Sequence, residues 1–217
     1  MYIVKQLNLF IMKTTKMILT TIACATSMIV NAQEMQNQLS VKLDNVSTIV
    51  LENLDGNTTF VKSDSDVISI KSELFINGDN WGWTIPESRP DFKIETRLSN
   101  DTLYVCTPIS FRFKIIGVSS YKEQISSIVH IPENKNIEIV KADKLILETN
   151  FMNVKIKDAK EIECKKLNKA EMGSLLCQAR SKFFVNGIER ERSFEFQGAG
   201  SEHYYLHANK ISLNIKE

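Results

Sequence analysis

Histidine occurs three times in these 217 residues, cysteine four times, tryptophan twice, proline four times and glycine eight times. Neither charge sign prevails, because 27 basic residues against 26 acidic ones leave +1. Each scarcity excludes something. There is no Gly-x-Ser-x-Gly elbow for a serine nucleophile, no glycine-rich phosphate loop and no zinc-protease helix motif. Balanced, interspersed charge predicts neither a nucleic-acid partner nor binding to an anionic membrane surface. The apolar run Met17 to Val30 is rich in Thr and Ala and too short to span a membrane.

That run reads instead as a secretory leader. Lys13 and Lys16 precede it, and Val30-Asn31-Ala32 ends it with small residues before Gln33. Met12 is a candidate true start, and the competing reading is an uncleaved anchor that uses Met1 to Ile11 as well. A lipid-modified Cys24 fits less well, because Thr21 stands where that signal wants Leu. Cleavage after Ala32 removes Lys5, Lys13 and Lys16 and no acid, so 24 basic residues face 26 acidic ones, a formal charge of −2. The remaining chain keeps Cys106, Cys164 and Cys177, which allows at most one internal disulfide. Alternation places Cys164 with Ile162 and Cys177 with Leu175, so buried free thiols are the leading expectation and a Cys164–Cys177 bridge the alternative.

The stretch Ser47 to Ile70 sets the pattern for the rest. Ser47 to Glu52 is β-branched and apolar, Asp55-Gly56-Asn57 breaks it, Thr58 to Lys62 resumes it, Ser63 to Asp66 breaks it again, and Val67 to Ile70 follows. After a polar lead-in over 33–38, Leu39 to Asp44 alternates as a strand with one buried face. Pairs of alternating apolar residues recur at Ile137/Ile139, Leu145/Leu147, Val154/Ile156 and Ile162/Cys164, eight or nine residues apart with charged turns between them. Asn100-Asp101 and Asn186-Gly187 read as hairpin turns. Met172, Leu175, Leu176 and Ala179 also fit helical spacing, but Gly173 and Ser174 favour a strand there. The prediction is an all-β, single-domain chain over 39–217. Its short strands bury their apolar faces by stacking, as in a β-solenoid or β-helix.

One segment departs from this pattern. The excursion over 77–122 carries Trp81 and Trp83 on either side of Gly82, followed by Pro86 and Pro90, and a crowd of Phe111, Phe113, Ile115 and Ile116. Two indoles around a glycine can form a platform for a sugar ring or a partner protein, or can cover strand edges. Trp81 and Trp83 are the candidate binding residues.

Other candidates are weaker. His203 and His207 share a strand face near Glu202 but lack a third metal ligand. Asp64 and Asp66, with Asp55 and Asn57, lack the full acidic spacing of a calcium loop and suit turn chemistry. Cys106 with His130 would need an orienting group that the sequence does not offer. No catalytic residue, metal or cofactor is therefore expected.

Leu51-Glu52-Asn53-Leu54-Asp55-Gly56-Asn57-Thr58, then Ser63-Asp64-Ser65-Asp66-Val67-Ile68-Ser69-Ile70, resembles the opening of bacterial adhesin-like β-solenoid proteins. These families carry the label "putative adhesin", are of unknown function, and occur among secreted proteins of Bacteroidetes. Asn186-Gly187, Ser193-Phe194-Glu195-Phe196 with Gly198, and Ala208 to Leu213 are similar to the same families. The resemblance implies a β-helical fold, export to the periplasm, cell surface or medium, and no established catalytic residues. The expected role is a non-catalytic structural or binding protein of the cell envelope whose partner is an envelope protein or glycan. The alternatives are a stress or signalling accessory that binds a membrane protein, and a β-helix carbohydrate-active enzyme.

Overall fold

The computed structural model describes residues 33–79, 92–108, 114–116 and 119–216. The leader, Trp81, Trp83, Phe111 and Phe113 lie outside the described residues. Those described form thirteen strands and no helix. The strands are β1 (Gln33–Lys42), β2 (Thr48–Ser63), β3 (Val67–Asp79), β4 (Glu95–Ser99), β5 (Thr102–Cys106), β6 (Lys114–Ile116) and β7 (Ser119–Pro132). They continue as β8 (Asn136–Leu147), β9 (Asn153–Asn168), β10 (Met172–Val185), β11 (Ile188–Arg190), β12 (Ser193–Gln197) and β13 (Glu202–Lys216).

The central strands are longer than the apolar pairs predict, because two pairs share one strand. Ile137/Ile139 and Leu145/Leu147 both belong to β8, and Val154/Ile156 and Ile162/Cys164 both belong to β9. The charged stretch between each two pairs is a bend within the strand. At that bend the register joins Leu54, Ala142, Ala159, Ala208 and Ala179 side by side across five strands. All five are buried. In four of the five strands that residue is alanine, whose small side chain takes up little room in the core at this rung. In β2 the corner includes Gly56, with φ +73, where a Cβ would stand 2.0 Å from the Ile125 carbonyl oxygen. The Asp55-Gly56-Asn57 break is therefore a kink inside β2, where the pairing with β8 shifts register between Leu54 and Asn57.

The hydrogen-bonded order is β1-β3-β7-β2-β8-β9-β13-β10-β11. Strands β2, β8, β9, β13 and β10 run parallel to one another. The sheet forks at β2, whose first half (Thr48 to Leu51) pairs with β5 and whose second half (Asn57 to Ser63) pairs with β7. Each half therefore has its own further neighbour in the sheet. Ile49, Leu51, Ile139 and Ile156 come from the first halves, and Phe60, Leu145, Ile162 and Leu213 from the second, in one cluster. A smaller cluster of Leu74, Ile76, Phe92 and Ile125 lies under the antiparallel arm of β1, β3 and β7.

Three features differ from a stack laid down in chain order. The lead-in from Gln33 is itself part of β1, paired along its length with β3. Strand β3 is separated from β2 by β7. The last strand, β13, lies between β9 and β10, so that β9 and β10 meet only through it. The hairpin turns are where the dipeptides place them. Asn100 has φ 54 between β4 and β5, and Asn186 and Gly187 have φ 49 and 77 between β10 and β11. Cys164 and Cys177 are both buried free thiols. Burial pushes the Cys177 thiol up to about 12 and Cys164 well above its ordinary value, which keeps both protonated and unreactive.

Candidate functional site

Strand alternation builds the site. In the first halves of the bent strands Ile137, Val154, Tyr204 and Leu175 turn inward and are buried. The residues on either side of them must then face out. The ladder aligns these outward residues in two columns. One column is Thr48, Asn136, Asn153, His203, Ser174 and Gln197. The other is Glu138, Lys155, Tyr205, Leu176 and Glu195.

A groove of about 460 Å³ runs between the columns, across the strands. Its floor is the backbone at Ile137, Val154, Tyr204 and Leu175. The columns are two residues apart, about 7 Å along a strand, and six strands at about 4.8 Å spacing make the groove about 24 Å long. The volume falls in the range of small-ligand sites.

The first column consists of hydroxyls, amides and an imidazole. Asn153 Nδ2 donates to Asn136 Oδ1 at 2.7 Å, and His203 Nδ1 lies 2.9 Å from Ser174 Oγ. In the second column Glu138 pairs with Lys157 and lies 4.0 Å from Lys155 Nζ. Gln197 Nε2 donates to Glu195 Oε1 at 3.3 Å. The side chains are thus held by one another and by a backbone already committed to the ladder. The two carboxylates of the groove, Glu138 and Glu195, are four strands apart, about 19 Å. A glycosidase needs its carboxyl pair within about 5 to 9.5 Å.

A second carboxyl pair lies beside the polar column, where the strands begin. Glu202 and Glu171 are in hydrogen-bond contact. Asn150 Nδ2 donates to Glu171 Oε2 at 2.8 Å, Asn168 Nδ2 to Glu171 Oε1 at 2.9 Å, and the Tyr204 hydroxyl to Glu202 Oε2 at 3.2 Å. Tyr204 Oη also accepts the Phe151 N–H at 2.9 Å. Burial, and then the neighbouring Glu171 charge, push the Glu202 carboxyl up to about 7. Burial likewise pushes the Tyr204 phenol well up. The contact between the two carboxyls leaves no room for a sugar oxygen between them. Their partners tie the start of β13 to the turns at Asn150 and Asn168.

The residues singled out in the sequence are dispersed. Trp81 and Trp83 fall outside the described residues. His203 joins the groove, while His207 Nδ1 bonds the Lys157 carbonyl at 2.8 Å. Asp66 pairs with the buried Lys135 at 2.8 Å. Cys106 ends β5 beside the first half of β2, and His130 pairs with Val61 in the second half, so the structure does not bring them together. Among the described residues no three His, Cys, Asp or Glu side chains are placed to hold a metal ion. No helix among these residues is long and apolar enough to cross a membrane. Asn136, Asn153, Tyr205 and Gln197 were not singled out by sequence. Their signal is one of register, since each precedes or follows an inward apolar residue at the same rung.

No protein-family model and no curated protein matches the chain. Among solved structures it is similar to a "putative cell adhesion protein" from Clostridium sporogenes, 11% identical with a TM-score of 0.46, covering 85% of this chain and 99% of that one. It is also similar to a "putative adhesin" from Bacteroides fragilis, 10% identical with a TM-score of 0.26, covering 84% and 96%. At these identities and scores neither assigns a ligand or a role to this chain.

Proposed function

We propose that this is an exported, non-catalytic binding protein of the cell envelope, with a solenoid-like stack of parallel coils that presents its groove to an envelope partner or glycan. The observation that carries the reading is the groove itself. It is a concave surface whose floor at Ile137, Val154, Tyr204 and Leu175 is paired backbone and whose walls are aligned polar and aromatic side chains. The leader residues Lys13, Lys16 and Met17 to Ala32 supply the export half of the proposal. The three-residue link from β9 to β10 supports the coil reading, because a 16-residue bent strand must return close to its start for so short a link to begin the next one. The loop with Trp81 and Trp83 is proposed as a second contact surface.

The test is a screen of the exported chain against envelope glycans and envelope proteins, run beside the Tyr205→Ala variant and the Trp81→Ala, Trp83→Ala double variant. Binding lost in Tyr205→Ala supports the groove, and binding unchanged in the double variant removes the tryptophan loop. Co-purification with an inner-membrane protein independent of both would favour the signalling accessory.

One observation favours an enzyme, namely the Glu202 carboxyl held at about 7 beside Glu171. Glycan hydrolysis abolished by Glu202→Gln would establish that reading. The direct contact between the two carboxyls speaks against it.

A further inference from the structure

We infer that the groove takes a linear, uncharged oligosaccharide that lies across the strands, its hydroxyls on the polar column and one ring face on Tyr205. This rests on the groove being the binding site and goes on to name the class of ligand.

Three properties of the walls select that class. The first is charge. The column of Thr48, Asn136, Asn153, His203, Ser174 and Gln197 has no acid, Lys or Arg, and the opposite wall has Glu138 and Glu195 against Lys155, with Glu138 already engaged by lysines. An anionic polymer would find no net positive charge, since Lys155 and Lys157 are balanced by Glu138 and Glu195. A cationic one would find two carboxylates about 19 Å apart and one already paired.

The second is hydrogen-bond type. A sugar hydroxyl is donor and acceptor at once, and so are the groups that face it. Asn and Gln amides offer both on one plane, and Thr and Ser hydroxyls rotate to either role. These groups repeat at about 4.8 Å, rung by rung, which suits a ligand that repeats along its length.

The third is direction. The groove crosses six strands joined by five parallel or antiparallel pairings, so the backbone groups between them are spent on each other. Over β2, β8, β9, β13 and β10 a peptide strand cannot add by main-chain bonding, which is how extended peptides gain affinity on sheets; among the described residues the outer edge of β12, which pairs with β10 alone, is the open one. Stacking and side-chain hydrogen bonds remain. Tyr205 and Leu176 supply the apolar part of one wall, on which the C–H face of a ring can rest.

The experiment is titration calorimetry of the full chain with linear hexasaccharides of β-linked glucose, mannose and N-acetylglucosamine, and with the hexamer of galacturonic acid as the acidic counterpart. Tyr205→Ala, Tyr205→Phe, Asn153→Ala and the remote Lys62→Ala are compared, with thermal melts to confirm that each folds. The expected result is binding of at least one neutral hexamer above the acidic one. Tyr205→Ala should weaken it about tenfold and Asn153→Ala about fivefold, with Tyr205→Phe and Lys62→Ala near wild type. Preference for the acidic hexamer, or no binding of any neutral one, overturns the inference. In that case an envelope protein whose binding is lost in Tyr205→Ala would leave the groove standing as a site for another class. Neutral-glycan binding indifferent to both groove variants overturns the inference and the groove together.

Discussion

Neutralising Glu202 should remove a pH dependence of stability that the fold itself creates. The carboxyl sits at about 7 against an ordinary 4.5, because it is half-buried and faces Glu171. The groups around it are Glu171, Asn150 and the Tyr204 hydroxyl. Between 4.5 and 7 the folded chain holds a proton there that the unfolded chain has released, so folding is favoured at low pH and the advantage is lost as pH rises through 7. The full displacement corresponds to about 3 kcal/mol. Solvent reaches much of the group and screens it, which reduces the contribution to about 1 kcal/mol.

The assay is denaturant unfolding at pH 5 and pH 8 for the wild type and Glu202→Gln. The glutamine keeps an acceptor for Tyr204 and a donor for Glu171. The two proteins should be alike at pH 5, with the variant more stable by about 1 kcal/mol at pH 8. Parallel curves would refute the placement of the proton. A variant less stable at both pH values would mean that the carboxylate, and not the acid, is the form the fold requires.

Three further substitutions probe the frame that holds the groove. Ala159→Leu places a large side chain in the buried corner column and should cost about 3 kcal/mol, read as a drop in denaturation midpoint. Thr58→Val should stabilise by about 1 kcal/mol, since the buried Thr58 hydroxyl has no hydrogen-bond partner among the described residues and valine keeps the shape. Lys135→Ala should cost about 2 kcal/mol in the same assay, because the buried ammonium donates to the Leu43 and Val46 carbonyls at 3.4 and 3.0 Å as well as to Asp66.

The inward apolar residues were legible, because period-two alternation needs nothing beyond the neighbouring residues. Ile137, Ile139, Leu145, Leu147, Val154, Ile156 and Ile162 are all buried as their spacing requires. So were the turns at Asn100 and Asn186-Gly187, whose positive φ is a local preference of those residues. The corner was misread as a turn for an equally local reason. Lys141-Ala142-Asp143-Lys144 has the polarity of an exposed loop, and the lone alanine that turns inward has too little apolar surface to register as core. Strand order was out of reach. That β13 enters between β9 and β10, or that β7 separates β3 from β2, depends on which distant edges meet. No local pattern encodes that.

The groove was hidden by the same division. Its residues are drawn from six strands spread between Thr48 and Tyr205, and apart from Leu176 the outward ones are ordinary polar or tyrosine side chains beside an apolar neighbour. Only when Ile137, Val154, Tyr204 and Leu175 are brought to one level do their neighbours become a wall. A one-residue slip of any strand would exchange an inward apolar residue for an outward polar one, burying an amide and exposing a hydrophobe at that rung. The core therefore enforces the alignment of the surface. The polar column carries no part of that apolar core, so its chemistry is set apart from the pattern that aligns it.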